Sequence, residues 1–452
     1  MVWAAKRMNR PVKWVSGRSE AFLSDDAARD QFTRVELALD EAGHFLALRA
    51  SHLANFGTHA ASFTPLTRGI SVTTGVYDIP VVHVLAKAVF TNTNPIHTYR
   101  GAGRPEAMFL LERLIDSAAH EMGMDGVEMR RKNLIPPSAM PYKNLTGMVF
   151  DSGDFAKSMD MALAKSDWDG FEARRAKAEK RGRLLGIGIA NYIETATGQP
   201  VERAEMEIKP KGRVQLVVGT QDSGQGHATS YAQLISEWLG VPFKDIDLTE
   251  GDTDIVKKGS GSHSSRSMRL AGYLLGQARD EILDKGKHIA AEMLETAVSD
   301  IQFADGRFRV VGTDRSAGLF EVAAAAPEPL EGAAEINQAL NAFPNGCHIC
   351  ELEVDPETGA ITITRYTGID DVGRVINPLL VDGQTQGGIA QGAGQALMEN
   401  CDYDPQTGQL IAGSFMDYAM PRADDFPFFD LGFNEVMATN NPLGIKGAGE
   451  GG

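Results

Sequence analysis

Four glycine- or serine-rich segments constrain this chain more than anything else in it. They are "TYRGAGRPEA" at 98–107, "GTQDSGQGHATS" at 219–230, "KGSGSHSSRSMRLAG" at 258–272 and "VINPLLVDGQTQGGIAQGAG" at 375–394. Each stands just before a helical pattern or at a bend. Glycine has no Cβ, so such segments let a backbone turn sharply and let another molecule come close. Helix N-termini present unpaired N–H groups and the positive end of a dipole, so each loop can hold an anion. Gln225, Gln384, Ser265 and Ser267 add neutral hydrogen-bonding groups. The set suits a phosphate-containing ligand gripped mainly by backbone and amides, without much positive charge. The sequence then closes on "GIKGAGEGG", where Glu450 stands among glycines with no bulky neighbour. Such an ending is either a frayed, charged tail or a base placed against a ligand.

Between these segments strands and helices mix. "VWAAKRMNRPVKWV" predicts a helix up to Pro11 and a strand after it. Residues 32–90 are strand-rich, with a hairpin turning at Glu41-Ala42-Gly43. "PEAMFLLERLIDSAAHEMG" predicts a helix with Pro105 at its first position and Gly123 at its end. The polar stretch "NLIPPSAMPYKNLTG" marks a boundary near residue 140, dividing the chain into 1–140 and 141–452. Beyond it come strands at "GIGIANYIE" and "RAEMEIKPKGRVQLVVGT", and the helix "HATSYAQLISEWLG". A long helix from about 267 to 299, hairpins at 301–313 and 346–367, and a small-residue helix after Pro378 complete the pattern. No regular βαβ period and no internal repeat is visible, so the expected class is α+β.

Several functions are disfavoured outright. A formal net charge of −16 argues against nucleic acid, whose phosphates need clustered Lys and Arg. No apolar run reaches membrane-spanning length, and "MVWAAKRMNRPVKW" lacks the signal-peptide pattern. Three cysteines in 452 residues fit a reducing, cytoplasmic setting. Cys347 and Cys350 of "CHIC" fall on one predicted strand, where residues three apart face opposite ways, and Cys401 stands alone. That reads as structural cysteine. "GAGRPEA" imitates the Gly-x-Gly-x-x-Ala dinucleotide fingerprint, but it follows "NTNPIHTYR" instead of an apolar strand.

Five ordered motifs carry a resemblance: "TYRGAGRPEA", the Gly-Gln-Gly of "SGQGHA", "GSHSSRS", "DGQTQGGIAQGAGQAL" and "NPLGIKGAGE". Together they resemble the xanthine dehydrogenase/aldehyde oxidase family of molybdenum hydroxylases, closest to the bacterial molybdopterin-binding large subunits. The resemblance implies a two-domain α+β architecture. In it 1–140 is the C-terminal part of the first molybdenum-cofactor-binding domain and 141–452 is the second. It implies a molybdenum-molybdopterin cytosine dinucleotide cofactor, with the metal held by the pterin and no protein side chain as ligand. By motif, Gln225 resembles the glutamine beside the apical ligand, with Gly224, Gly226 and His227 around it. Arg100 and Gly101 match the metal-side loop. Ser264, Ser265 and Ser267 match a serine-rich turn, Ser264 acting through its amide, and Gln384 matches a pterin-bonding glutamine. Glu450 falls on the family's glutamate base. The implied activity is a base-assisted hydroxylation of an aldehyde or N-heterocycle with water-derived oxygen. Electrons then pass to a small 2Fe-2S subunit and a medium FAD subunit, in a dimer of heterotrimers. The cysteines here cannot build those clusters themselves.

The sequence also departs from the family pattern. Gly101 replaces the cysteine that bridges copper in aerobic carbon monoxide dehydrogenases. Ala102 replaces the phenylalanine that stacks on a purine in xanthine oxidases, so a roomier or differently shaped substrate pocket is expected. Arg68 is either a substrate-polarising cation there or a surface arginine, and Glu194 either lines the pocket or is a strand-end carboxylate. The family's Gly-Gly-Gly-Phe-Gly loop is absent, and family chains continue past the glutamate loop. The expectation is therefore a chain truncated at both ends. The alternative to a working hydroxylase subunit is a catalytically incomplete fragment or scaffold.

Overall fold

A computed structural model describes residues 1–451. Four sheets of three or four strands organise it. In the first, Gln31–Leu39 and Phe45–Asn55 form the expected antiparallel hairpin, and Val82–Val89 pairs in parallel with the second strand. Alternate residues Leu48, Ala50, His52 and Ala54 are buried, which is the period of a half-covered strand.

The second sheet has the order Asp430–Phe433, Ile361–Asp371, Asn345–Val354, Leu184–Ile193. Its central hairpin turns at Pro356–Gly359, and its outermost strand Asp430–Phe433 pairs in parallel. The third has the order Leu330–Asn337, Val201–Lys209, Arg213–Val218, Ile246–Thr249. The helix Gly272–Met293 lies directly on this sheet. A Cβ on Gly332 would stand 2.2 Å from the Ala278 carbonyl oxygen, so only glycine permits that approach. A smaller three-stranded sheet spans Ile301–Gly318. Helices and sheets are segregated in the manner expected for α+β.

Two hydrophobic cores result. One gathers Phe45, Tyr77, Leu111, Met159, Ile189, Cys347 and Ile369, and so draws residues from both sides of position 140. The other lies between the third sheet and its helices, around Met206, Leu216, Tyr231, Leu274 and Phe308. Cys347 is buried in the first core and Cys350 is only partly covered, so the pair does face two ways.

Four local expectations need correction. Residues 11–17 form no strand, since no neighbouring strand bonds to them. The strand-rich stretch contains a helix, Thr64–Ser71, whose Pro65 suits the first turn. Gly103 caps the next helix and Arg104 is its first residue, which moves Pro105 to the second position; Gly123 ends it in the left-handed conformation, as expected. The long helix begins as a π turn at Ser267–Ala271 and its α-helical part ends at Met293.

Candidate functional site

The glycine- and serine-rich segments meet. Gly219 and Gly259 press backbone to backbone, so that a Cβ on Gly259 would lie 2.3 Å from the Gly219 Cα. Ser262 adds a second tie, accepting from the Gln221 amide at 3.0 Å and donating to its carbonyl at 2.6 Å. These contacts zip the 219–230 loop to the 258–272 loop. Arg100 reaches across to the helix Pro378–Leu397, donating to the Gln384 carbonyl at 2.8 Å and to Gln391 Oε1 at 3.2 Å. The terminal segment folds back on the end of the Ile361–Asp371 strand: Gly373 pairs with Ile445, and the Lys446 amide donates to the Val372 carbonyl at 2.8 Å. Gly447 then rests on Ser265, at a distance where a Cβ would stand 2.6 Å from the Ser265 Cβ.

Glu450 is thereby carried inward, and the frayed-tail reading fails. Its Oε1 accepts the Ser264 amide at 2.6 Å, and its Oε2 accepts from Arg104 Nη2 at 2.6 Å. The same Arg104 nitrogen lies 2.5 Å from Glu194 Oε1. Arg104 and Glu194 are buried, at 3% and 2% exposure, so two carboxylates share one desolvated guanidinium. Burial pushes the Glu194 carboxyl up to about 7, against the pull of Arg104, and the charge of Glu450 adds to the rise.

Two cavities flank this cluster, and Glu450 lines both. The first, of about 310 Å³, is lined by Gln225, His227, Ser264, Ser265, Ser267 and Gln384, along with Gly447 and Gly449. The second, of about 410 Å³, is lined by Gly101, Arg104 and Glu194, with Met108, Phe109, Ile189 and Ile193 as apolar wall. Thus eight of the sequence-predicted residues line one cavity or the other, besides Glu450 itself. Arg100 lines neither and acts from behind, through Gln384. Gly224 and Gly226 shape the turn at φ of 113° and 78° without lining the cavity. Ala102 is buried at 7% exposure with φ of 42° and lines neither cavity. Arg68, half-buried on the Thr64–Ser71 helix, lines neither cavity, although it feels the charges of Arg104, Glu194 and Glu450.

The expected electrostatics also change. The 219–230 loop does not offer its amides to an external anion, because the Asp222 carboxylate accepts N–H groups from Gly224, Gln225, Gly226 and His227. Gln225 Oε1 bonds back to the Ser223 amide at 2.5 Å. His227 pairs with Glu250 at 3.2 Å. Nor is the first cavity poor in positive charge, since Arg266, Arg269 and Arg374 line it. Arg266 is consumed by Glu202 and three backbone carbonyls. Arg269 donates to the Thr197 carbonyl through Nη2, while its Nε and Nη1 are buried with no hydrogen-bond partner. Burial lowers its pKa to about 10, which still leaves it charged at neutral pH.

Arg104 and Arg269 are site residues that sequence reasoning missed, and Arg104 is the one in contact with Glu450. The signal for Arg104 was its place in the motif "RGAGR", one helical step past the glycine turn. The turns themselves are strained: Ala102, Ser264 and Ser265 all have φ between 42° and 53°, and such residues persist only where surrounding structure holds them.

Comparison with known proteins decides the family. Residues 1–134 and 161–427 each match a Molybdopterin cofactor-binding domain. The chain belongs to the molybdenum hydroxylase large-subunit family. It is 35% identical over 469 residues to the 6-hydroxypseudooxynicotine dehydrogenase complex subunit gamma of Paenarthrobacter nicotinovorans, matching 99% of this chain and 59% of that one. The fold overlays on carbon monoxide dehydrogenase from Oligotropha carboxidovorans with a TM-score of 0.92 at 32% identity, covering 99% of this chain and 60% of that one. Quinoline 2-oxidoreductase from Pseudomonas putida 86 gives 0.90 at 32% identity, with the same shares. The chain therefore spans about three fifths of the length of the relatives it matches. No helix among its described residues is long and apolar enough to cross a membrane.

The first cavity fits the family's cofactor. Ser265 Oγ and two Arg269 nitrogens are buried and unpartnered on its wall, and Gly447 and Gly449 pack against Ser265 so closely that a Cβ would meet it at 2.6 Å and 3.3 Å. Unpaired buried donors of this kind are costly unless something binds them.

Proposed function

We propose that this chain forms the cofactor and base side of a molybdenum hydroxylase acting on an aldehyde or N-heterocycle. The carrying observation is Glu450, whose carboxylate stands in the wall common to both cavities, held by the Ser264 amide and Arg104. Gln225, His227, Ser265, Ser267, Gln384 and Arg269 would hold the cofactor in the first cavity, with Arg100 fixing Gln384 from behind. The cytosine dinucleotide form is the reading we adopt. The bound cofactor supplies Lewis-acid activation of a water-derived oxygen and a sink for two electrons.

What the protein itself contributes is orientation and proton transfer. A carboxylate has about four lone-pair sites, so each Glu450 oxygen can accept a proton while keeping its present bond. Glu450 takes the proton of the attacking oxygen, and the substrate carbon faces it from the second cavity. The apolar wall of Met108, Phe109, Ile189 and Ile193 excludes water from that approach. Gly101 stands where aerobic carbon monoxide dehydrogenases carry their copper-bridging cysteine, which argues against carbon monoxide oxidation. Electrons leave to 2Fe-2S and FAD subunits, in an assembly that the names of relatives such as a complex subunit gamma support.

The test is Glu450→Gln in protein co-expressed with its neighbouring subunits. Molybdenum and nucleotide content should match wild type while dye-coupled turnover of aldehydes and azaheterocycles falls by about 10²–10⁴-fold. Full turnover in the loaded variant would defeat the assignment. If the wild-type assembly binds no molybdenum, the reading as an incomplete fragment or scaffold replaces it.

A further inference from the structure

Glu194 is a buried carboxyl with hydrogen-bonding capacity left open. It is 2% exposed, and neither carboxylate oxygen accepts a hydrogen bond. Arg104 Nη2 lies 2.5 Å from Oε1 as an ion-pair contact while also donating to Glu450 Oε2. Glu194 lines the second cavity and not the first, and the walls around it are mostly apolar. A buried acceptor left open in a cavity wall is costly, and a ligand supplying a donor at that point removes the cost.

We propose that Glu194 is a specificity residue of the second cavity, accepting a hydrogen bond from a ring N–H of the bound substrate. The inference rests on the reading of the second cavity as the substrate side of Glu450. Its position supports that orientation. Glu194 follows the strand Leu184–Ile193, where its own amide bonds to the Pro344 carbonyl at 2.8 Å, so the side chain is anchored by the sheet. Arg104 ties it to Glu450, which places the recognised nitrogen and the attacked carbon within one small ring system. Arg68 and Arg269 complete the charges that act on Glu194 and its partner, and neither forms a hydrogen bond to it. A carbonyl-bearing aldehyde without N–H leaves the Glu194 oxygens as they are, so it gains nothing from this wall.

The experiment is equilibrium binding by calorimetry to the assembled enzyme, using a matched pair of bicyclic ligands. 1H-quinolin-2-one carries the ring N–H; coumarin has ring oxygen in the same place. At pH 8, where the carboxyl is ionised, wild type should favour the N–H ligand by about 10–100-fold, the range of a hydrogen bond to a charged group. Glu194→Leu should erase the preference, and the isosteric Glu194→Gln, which keeps a carbonyl acceptor, should retain part of it. Equal binding of the two ligands to wild type, or no binding of either, would overturn the proposal. So would an equal loss of both ligands in the two variants, because Glu194 would then act only by holding Arg104. Glu450→Gln separates this from the catalytic reading. Lost turnover with the preference intact supports both, whereas retained turnover sinks the base assignment and leaves the preference standing.

Discussion

Lys446 Nζ lies 2.5 Å from Asp371 Oδ2, and neither side chain is exposed to solvent at all. Asp371 also accepts from Asn345 Nδ2 and from the amides of Gly373 and Val436, so its remaining lone pairs are occupied. The pair stands four residues before Glu450 and fixes where the terminal segment meets the sheet.

Lys446→Met should therefore strand a buried carboxylate and destabilise the protein by about 3–5 kcal/mol. Pairing it with Asp371→Asn should recover much of that loss, because both charges then go together. Chemical denaturation of the four proteins of this cycle measures the coupling. A purely additive result would show that the pair does not act as a unit.

Arg104→Met removes the cation between Glu194 and Glu450. The expected outcome is lower stability, by about 3–5 kcal/mol for a broken buried pair, together with a drop in kcat in the assembled enzyme. Arg104→Lys should restore charge without the planar fork and so recover stability better than kcat. Equal recovery of both would mean that Glu450 needs only a nearby charge and no particular alignment.

Gly103 and Gly123 flank the same helix and both have positive φ, at 94° and 64°. A Cβ on Gly103 would meet the Pro65 carbonyl oxygen at 1.7 Å, whereas Gly123 has open space around it. Gly123→Ala should cost about 1–2 kcal/mol, the left-handed penalty alone. Gly103→Ala should cost clearly more and displace the Arg100–Arg104 turn. Thermal unfolding of the two variants makes the comparison.

The raised Glu194 carboxyl has a consequence for pH. Its folded-state value of about 7 exceeds the ordinary 4.5, so between those values the folded state holds a proton that the unfolded chain has released. Stability from this group is therefore lost as pH rises through that window and levels off above it. Glu194→Gln removes the linkage, and its stability relative to wild type should grow between pH 5 and pH 8, by at most roughly 1.4 kcal/mol per pH unit. A difference that stays flat over this range would show that Glu194 is ionised throughout.

Local chemistry made much of this fold legible. The alternating residues of 31–55 with Gly43 predict their hairpin, and Pro378 predicts the start of the small-residue helix. What escaped was set by contacts distant in sequence. Thr64–Ser71 is too short to announce a helical period, and Arg104 gains its meaning only from Glu194 and Glu450, far along the chain. Nothing in the sequence singles out Asp222; only the folded turn shows that its carboxylate already holds the amides that an external anion would want.

The core that unites Phe45 and Leu111 with Ile189, Cys347 and Ile369 draws on both matched cofactor-binding segments. The linker between them is thus a seam in the polypeptide and not in the solid. Expressing either segment by itself would bare an oily face, and reassembly from separate halves would have to proceed by co-folding instead of docking.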